Sequence, residues 1–243
     1  MSHGLDWNAE RGFGKRMTLK LVSCPSPNHD ERPAGGAVDI LVLHYTGMTT
    51  ADEALARLCD PAAKVSAHYT IGRDGRIFAH VPEERRAWHA GVSYWAGERN
   101  VNARSIGIEL VNPGHEFGYE PFPDAQIAAL IDLAHGILKR HPIPPHRVIG
   151  HSDVAPARKM DPGELFPWQH LAEFGIGLWP GRAAGDGAAA SDLAKFGYGL
   201  PPQADVPLDS VITAFQRHFR PQEIDGRWDG ECADRLAALL ASA

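Results

Sequence analysis

His44 ends the apolar run Val38–Tyr45, and His151 directly follows a second short run, Arg147–Gly150. Ligands of open α/β sheets collect outside the carboxyl ends of strands, so both imidazoles stand where a bound group is expected. Asp161 returns toward His151 through a nine-residue, proline-containing connection, Ser152–Met160. Two imidazoles and a carboxylate suit Zn²⁺ with a fourth position left for water or substrate. The same spacing also fits a capped turn built from His151, Asp153 and Asp161.

Two further side chains fit such a centre. Glu109 lies in Ser105–Val111, opposite the face formed by Ile106, Ile108 and Leu110. A carboxylate within a short central strand needs a compensating partner, because burying a lone charge is costly. Water activated by a cation would be one, making Glu109 a general base. A salt bridge with Arg104 or Arg73 would be another. Lys159 stays near anything Asp161 binds, so its ammonium can stabilise an oxyanion, or it is a solvated loop lysine.

These groups need a sheet to hold them. Val38–Tyr45 predicts a buried strand. Thr50 caps a short helix through Cys59, with acids in its first turn. Ala67–Val81 predicts a hairpin about Arg73-Asp74-Gly75, and Ser105–Val111 a further strand. Pro123-Asp124 opens the most regular helix, with apolar residues at helical spacing up to Lys139-Arg140. Strands separated by helices indicate an α/β domain with a mixed central sheet over residues 34–180. Residues 1–33 are expected to be an irregular extension and 181–190 a flexible linker. Residues 191–243 place Val211, Phe215 and Phe219 on one helical face and Cys232, Leu236 and Leu239 on another, which predicts a small helical module.

Composition narrows the function. The 243 residues are 44% apolar and 22% charged, and 24 Lys+Arg stand against 30 Asp+Glu with no basic stripe, so duplex binding is not expected. No run approaches the roughly 20 apolar residues of a membrane span. Residues 1–33 lack the apolar core of an export signal; Leu21-Val22-Ser23-Cys24 imitates a lipoprotein processing site, but Lys20 interrupts the segment before it. Cys24, Cys59 and Cys232 are odd in number and far apart along the chain, which reads as reduced, unpaired thiols in a cytosolic protein. Nucleophile-elbow, Walker and HExxH signatures are absent. His29-Asp30-Glu31 fits the HxE of zinc deaminases without its PCxxC partner and is taken as coincidence.

Taken in order, LVLHYTG, SAHYTIGRDGRIFAHVPEERRAWHAGVS, NARSIGIELVN and VIGHSDVAPARKMDPGELFPW resemble N-acetylmuramoyl-L-alanine amidases of the AmpD/AmiD type, in the type 2 amidase and peptidoglycan-recognition superfamily. The C-terminal segments DSVITAFQRHF and IDGRWDGECADRLAALL resemble, more weakly, a small three-helix peptidoglycan-binding domain. The resemblance implies a zinc enzyme that cuts the amide between the lactyl group of N-acetylmuramic acid and L-alanine. On it, His44, His151 and Asp161 match the zinc ligands, Glu109 the catalytic carboxylate and Lys159 the basic residue. His89 and Asn102 fall where the family lines its muropeptide cleft.

Within that resemblance, a cytosolic enzyme recycling 1,6-anhydro-muropeptides competes with an envelope hydrolase acting on intact wall. The missing export signal favours the first and the C-terminal module the second. A non-catalytic recognition protein is the remaining alternative, disfavoured because all three ligand positions are filled. The C-terminal helices could equally serve only to brace the catalytic domain.

Overall fold

The computed structural model describes residues 20–181 and 187–243, so the expectations for residues 1–19 and for the middle of the linker lie outside the described residues. Among the described residues there are eight strands: β1 (Leu21–Ser23), β2 (His29–Glu31), β3 (Ile40–Tyr45), β4 (Tyr69–Ile71), β5 (Ile77–Ala79), β6 (Arg85–Ala87), β7 (Ser105–Leu110) and β8 (Val148–Gly150). Six make one sheet in the order β1-β5-β4-β7-β3-β8, and β2 pairs with β6 in a separate ribbon. Within the large sheet only β4 and β5 are antiparallel, so the sheet is mixed, as expected. The β4–β5 hairpin turns where Asp74-Gly75 predicts, closed by a Gly72 N–H to Arg76 carbonyl bond of 2.8 Å with Gly75 at φ +81°.

Strand alternation divides the interior into two layers. Leu41 and Leu43 of β3, with Ile106, Ile108 and Leu110 of β7, face one core. That core is closed by the helix Asp124–Arg140 through Ile127, Leu130, Ile131, Ala134 and Ile137. Each large aliphatic buried this way contributes roughly 1.5–3 kcal/mol. Ile40 and Val42 face the opposite core, together with Trp95 and Val101. The helix Ala51–Cys59 has the predicted Thr50 cap, its hydroxyl accepting from Glu53 N–H at 3.2 Å while Glu53 returns to the Thr50 N–H.

The second core is completed from the C-terminal segment. Leu193, Phe196 and Tyr198, the helix Leu208–Phe219 and the helix Gly230–Ser242 deliver Val211, Phe215, Phe219, Cys232, Leu236 and Leu239 to the same cluster as β3. The helical module expected over 191–243 therefore lies on the back of the sheet. Buried Asp153 fastens the two parts: its carboxylate accepts from Tyr198 Oη at 2.6 Å, from His218 Nδ1 at 2.7 Å and from the Gly150 N–H at 2.7 Å. The His218 ring is stacked between Trp168 and Phe219, at 3.8 Å from each.

Two expectations need correction. The described part of the 1–33 extension is not irregular: β1 joins the sheet edge and β2 pairs with β6 through Asp30–Arg86 and Glu31–Arg85 ion pairs. Charge pairing rather than apolar alternation holds that ribbon, so hydrophobic periodicity gives no sign of it. The linker's end is not free either, since Ala188 exchanges bonds with Ala233 (3.0 Å) and Trp228 (3.2 Å). Cys24 and Cys59 are free thiols, as read from the sequence, and though remote along the chain they stand with their Sγ atoms 3.3 Å apart.

His218→Ala would leave the Asp153 carboxylate short of a donor and open a ring-sized void. The expected cost is about 3 kcal/mol, read as a lower urea midpoint. An unchanged midpoint would show that this fastening contributes no stability.

Candidate metal centre

Register places the site residues. His44 lies opposite Glu109, and Glu109 opposite Thr70, in adjacent strands of one sheet, so the three share a face near the carboxyl ends of β3 and β7. Leu43 pairs with Gly150, which delivers His151 at the end of β8 to the same edge. From there the chain makes one helical turn, His151–Val154, and Asp161 returns with its carbonyl accepting from the Ser152 N–H at 2.9 Å. Of the proposed capped turn, Asp153 is the capping member, through the Gly150 N–H; His151 and Asp161 point elsewhere.

They point at His44. His44 Nδ1, His151 Nδ1 and Asp161 Oδ2 lie 2.9–3.0 Å from one another, all buried. Following the protons shows what this triangle contains. The Ser105 hydroxyl donates to the Val101 carbonyl at 2.7 Å, so its oxygen accepts from His89 Nε2–H at 3.1 Å. His89 Nδ1 is thereby a bare acceptor and takes the proton of His44 Nε2 at 3.1 Å. His44 Nδ1 is left with only its lone pair. On the other side His151 Nε2–H donates to the Ala90 carbonyl at 3.1 Å, which turns Nδ1 toward His44 and Asp161. Burial, followed by the neighbouring His151, lowers the His44 imidazole to about 4, so it is neutral at physiological pH. Burial alone would raise the Asp161 carboxyl, but the adjoining imidazoles outweigh it and keep Asp161 ionised. Two imidazole nitrogens and a carboxylate oxygen, each imidazole oriented by a bond at its far nitrogen, form the donor set that a zinc ion takes.

The triangle opens onto a cleft of about 350 Å³ whose walls include Glu109, Lys159, Tyr45, His115 and Arg57. Glu109 does not form the salt bridge considered from sequence: Arg104 binds Asp39 and Arg73 binds Glu120. Its Oε2 is sealed from solvent and has no hydrogen-bond partner. Burial, then the Asp161 charge, pushes the carboxyl well above its usual range, and Lys159 partly offsets this. A carboxyl so placed holds a proton more readily than an exposed one, as acid–base work requires.

The two residues assigned more loosely sit differently. His89 borders the cleft, but both of its ring nitrogens are occupied, by His44 and Ser105. Asn102 does not line the cleft. Its Oδ1 accepts from the backbone N–H groups of His89 (3.1 Å) and Ala90 (2.8 Å), holding the segment that carries both orienting groups. Sequence reasoning missed Ser105, the Ala90 carbonyl and Gly107. A Cβ on Gly107 would stand 2.4 Å from His89 Cγ, so the His89 ring rests directly on the strand backbone. A glycine between Ile106 and Ile108 is the one available signal for this, since glycine inside a strand marks a close approach.

A triangle of possible metal ligands on a mixed sheet, beside a carboxyl and a lysine, is the kind of side-chain set that metal-assisted hydrolysis uses. The chain belongs to the N-acetylmuramoyl-L-alanine amidase family, whose Amidase_2 domain matches residues 34–164, and its enzymatic class is that of the family. It is 42% identical over 231 residues to the N-acetylmuramoyl-L-alanine amidase AmiD of Escherichia coli K12, covering 84% of this chain and 82% of the relative. It is 37% identical over 162 residues to the 1,6-anhydro-N-acetylmuramyl-L-alanine amidase AmpD of Haemophilus influenzae, covering 59% and 86%. The AmiD structure in complex with anhydro-N-acetylmuramic acid-L-Ala-D-gamma-Glu-L-Lys superposes with a TM-score of 0.75 at 40% identity, over 87% of this chain and 93% of that one. AmpDh3 of Pseudomonas aeruginosa, in complex with an anhydromuramic pentapeptide, gives 0.77 at 36% identity over 98% of both chains.

Gly107→Ala should displace His89, release the His44 tautomer and weaken metal affinity roughly 10–100-fold, measured by competition with a chromophoric chelator. A second expectation concerns the metal-free protein. Burial lowers His44 to about 4 and His68 to about 3, so the folded state resists protons that the unfolded chain takes up below about 6.5. Stability should be complete above that pH and fall as pH drops toward 4, by about 2 kcal/mol per histidine at pH 5. Urea titrations across this range would check it.

Proposed function

We propose that this protein is a zinc-dependent amidase that hydrolyses the bond between N-acetylmuramic acid, in its 1,6-anhydro form, and the L-alanine of muropeptides. The observation that carries the reading is the triangle of three converging, buried ligand atoms from His44, His151 and Asp161, at the floor of a cleft bearing Glu109 and Lys159. The anhydro-muramic preference is supported by the ligands of the AmiD and AmpDh3 complexes and by the AmpD name.

When bound, zinc supplies Lewis acidity toward the scissile carbonyl and the attacking water. Glu109 takes the proton of that water as it attacks and returns it to the departing alanine nitrogen, which cannot leave as an amide anion. Its raised pKa suits the second half of that cycle, and the nearby cation and Lys159 favour the ionised form needed for the first. Lys159 places fixed positive charge beside the carbonyl oxygen as negative charge grows there. His89, Ser105 and the Ala90 carbonyl hold the two ligand imidazoles in their lone-pair-inward tautomers.

The compartment is tied to the C-terminal helices. One reading is cytosolic recycling of imported muropeptides. The second, an envelope amidase acting on intact wall, is favoured by the match to AmiD over 84% of the chain, whereas the match to AmpD covers only 59%. Yet the apolar faces of those helices are buried against the sheet, which fits bracing as well as targeting. Among the described residues, no helix is long and apolar enough to cross a membrane. Fractionation of cells carrying the tagged full-length protein separates the two readings.

Digestion of defined muropeptides, anhydro and reducing-end, followed by mass spectrometry, should release stem peptides with a free L-alanine amine from the anhydro substrate. Chelator should abolish the release and zinc restore it; cleavage at another bond, or chelator-insensitive cleavage, would overturn the proposal. Lys159→Ala should bind zinc normally and lose about 10²–10³ in turnover; full turnover would remove Lys159 from the chemistry.

A further inference from the structure

Away from the cleft, three residues that the amidase chemistry does not use are gathered where β1 and β5 meet the end of the helix Ala51–Cys59. Cys24 Sγ and Cys59 Sγ are 3.3 Å apart, both partly buried, and His80 Nδ1 lies 3.8 Å from Cys59 Sγ. Such a cluster is either a soft-metal site or a pair of thiols ready to bond, and the His80 proton distinguishes them. His80 Nδ1 lies 2.7 Å from the Cys24 carbonyl, which can only accept, so Nδ1 carries the hydrogen. His80 Nε2 then accepts from the Thr70 hydroxyl at 2.8 Å. The ring presents an N–H to the two sulfurs and has no lone pair to offer a metal.

The backbones on both sides are already docked. Cys24 N–H donates to the Ala79 carbonyl at 3.0 Å, Ser26 Oγ to the Leu58 carbonyl at 2.5 Å, and Asn28 Nδ2 to the carbonyls of Asp60 and Val65 at 2.8 and 2.9 Å. Bonding the sulfurs therefore requires them to close by little more than an ångström, toward the usual S–S length of about 2.05 Å.

We propose that Cys24 and Cys59 are a site of covalent modification, forming an intramolecular disulfide by exchange with a disulfide oxidant, small-molecule or protein. One thiolate attacks a sulfur of the oxidant, whose S–S bond breaks and releases a thiol. The second cysteine then displaces the remaining oxidant half as a second thiol, forming the Cys24–Cys59 bond. Both cysteine protons go to the released thiols, and two electrons pass to the oxidant. Burial and the Cys24 thiol push Cys59 up to about 12, so the first attack does not start there. The bond would tie the sheet-edge segment to the helix whose Ala54, Arg57 and Leu58 line the substrate cleft.

The test uses the full-length, folded protein and glutathione disulfide. Alkylation under denaturing conditions should show the three free cysteines fall to one, with peptide mapping locating the link at 24–59 and Tm rising by roughly 5–10 °C. Cys24→Ser and Cys59→Ser should abolish the gain, and Cys232→Ser should keep it. The proposal is overturned if all three thiols stay alkylatable, if reaction stops at a glutathione adduct, or if Cys232 takes part. It is also overturned if added Zn²⁺ protects the reduced pair and Cys59→Ser removes one bound ion per chain, which would make the cluster a metal site.

Discussion

The Val101 carbonyl can only accept a proton, and from that asymmetry the centre is organised. Its demand fixes the Ser105 hydroxyl, which fixes His89, which fixes His44, until a bare nitrogen faces Asp161 and His151. The Ala90 carbonyl does the same for His151 in a single step. Both lines end on backbone oxygens, whose polarity no protonation event at ordinary pH reverses. The relative placement of His44, His151 and Asp161 is thus set by the protein's own hydrogen bonds.

Backbone segments that carry these anchors are themselves immobilised from two sides. Arg32 reaches in from beside β2 and donates to the carbonyls of Asn102, Ala103 and Ser105, while Asn102 returns two acceptor contacts to His89 and Ala90. Arg158 donates to the carbonyls of Ala90 and Val92. From behind the sheet, Tyr198 and His218 grip Asp153 within the turn that starts at His151. Residues with no chemistry of their own therefore decide where the reactive ones stand.

Much of this was legible from sequence, for identifiable reasons. The strands carrying His44 and Glu109 alternate cleanly because one face is apolar core, and the helix Asp124–Arg140 shows its period because it has one buried stripe. His44 and His151 stood out by their places at strand ends, Glu109 as a carboxylate inside a strand, and Asp161 and Lys159 by the loop they share; Glu109, His151, Lys159 and Asp161 border one cleft, with His44 within 3.0 Å of His151 and Asp161. Asn102 was placed in the cleft wall and instead supports it from beneath; an amide bonding backbone N–H groups looks, in sequence, like one bonding a ligand. The β2–β6 ribbon was invisible since ion pairs leave no periodicity. The proximity of Cys24 to Cys59 was not legible because it depends on a parallel pairing of β1 with β5, a contact between segments that no local pattern announces.

His44 and Glu109 hang side by side from adjacent strands in fixed register, whereas much of the rim comes from the loop Thr46–Met48 and the short helical turn Gly114–Phe117 with its flank. Spacing between base and ligand is therefore quantised by the ladder of backbone bonds and cannot drift, while the loops are free to be remodelled. Descendants of such a scaffold can change which stem peptide they admit, or how much glycan they tolerate, and still cut the same bond in the same way.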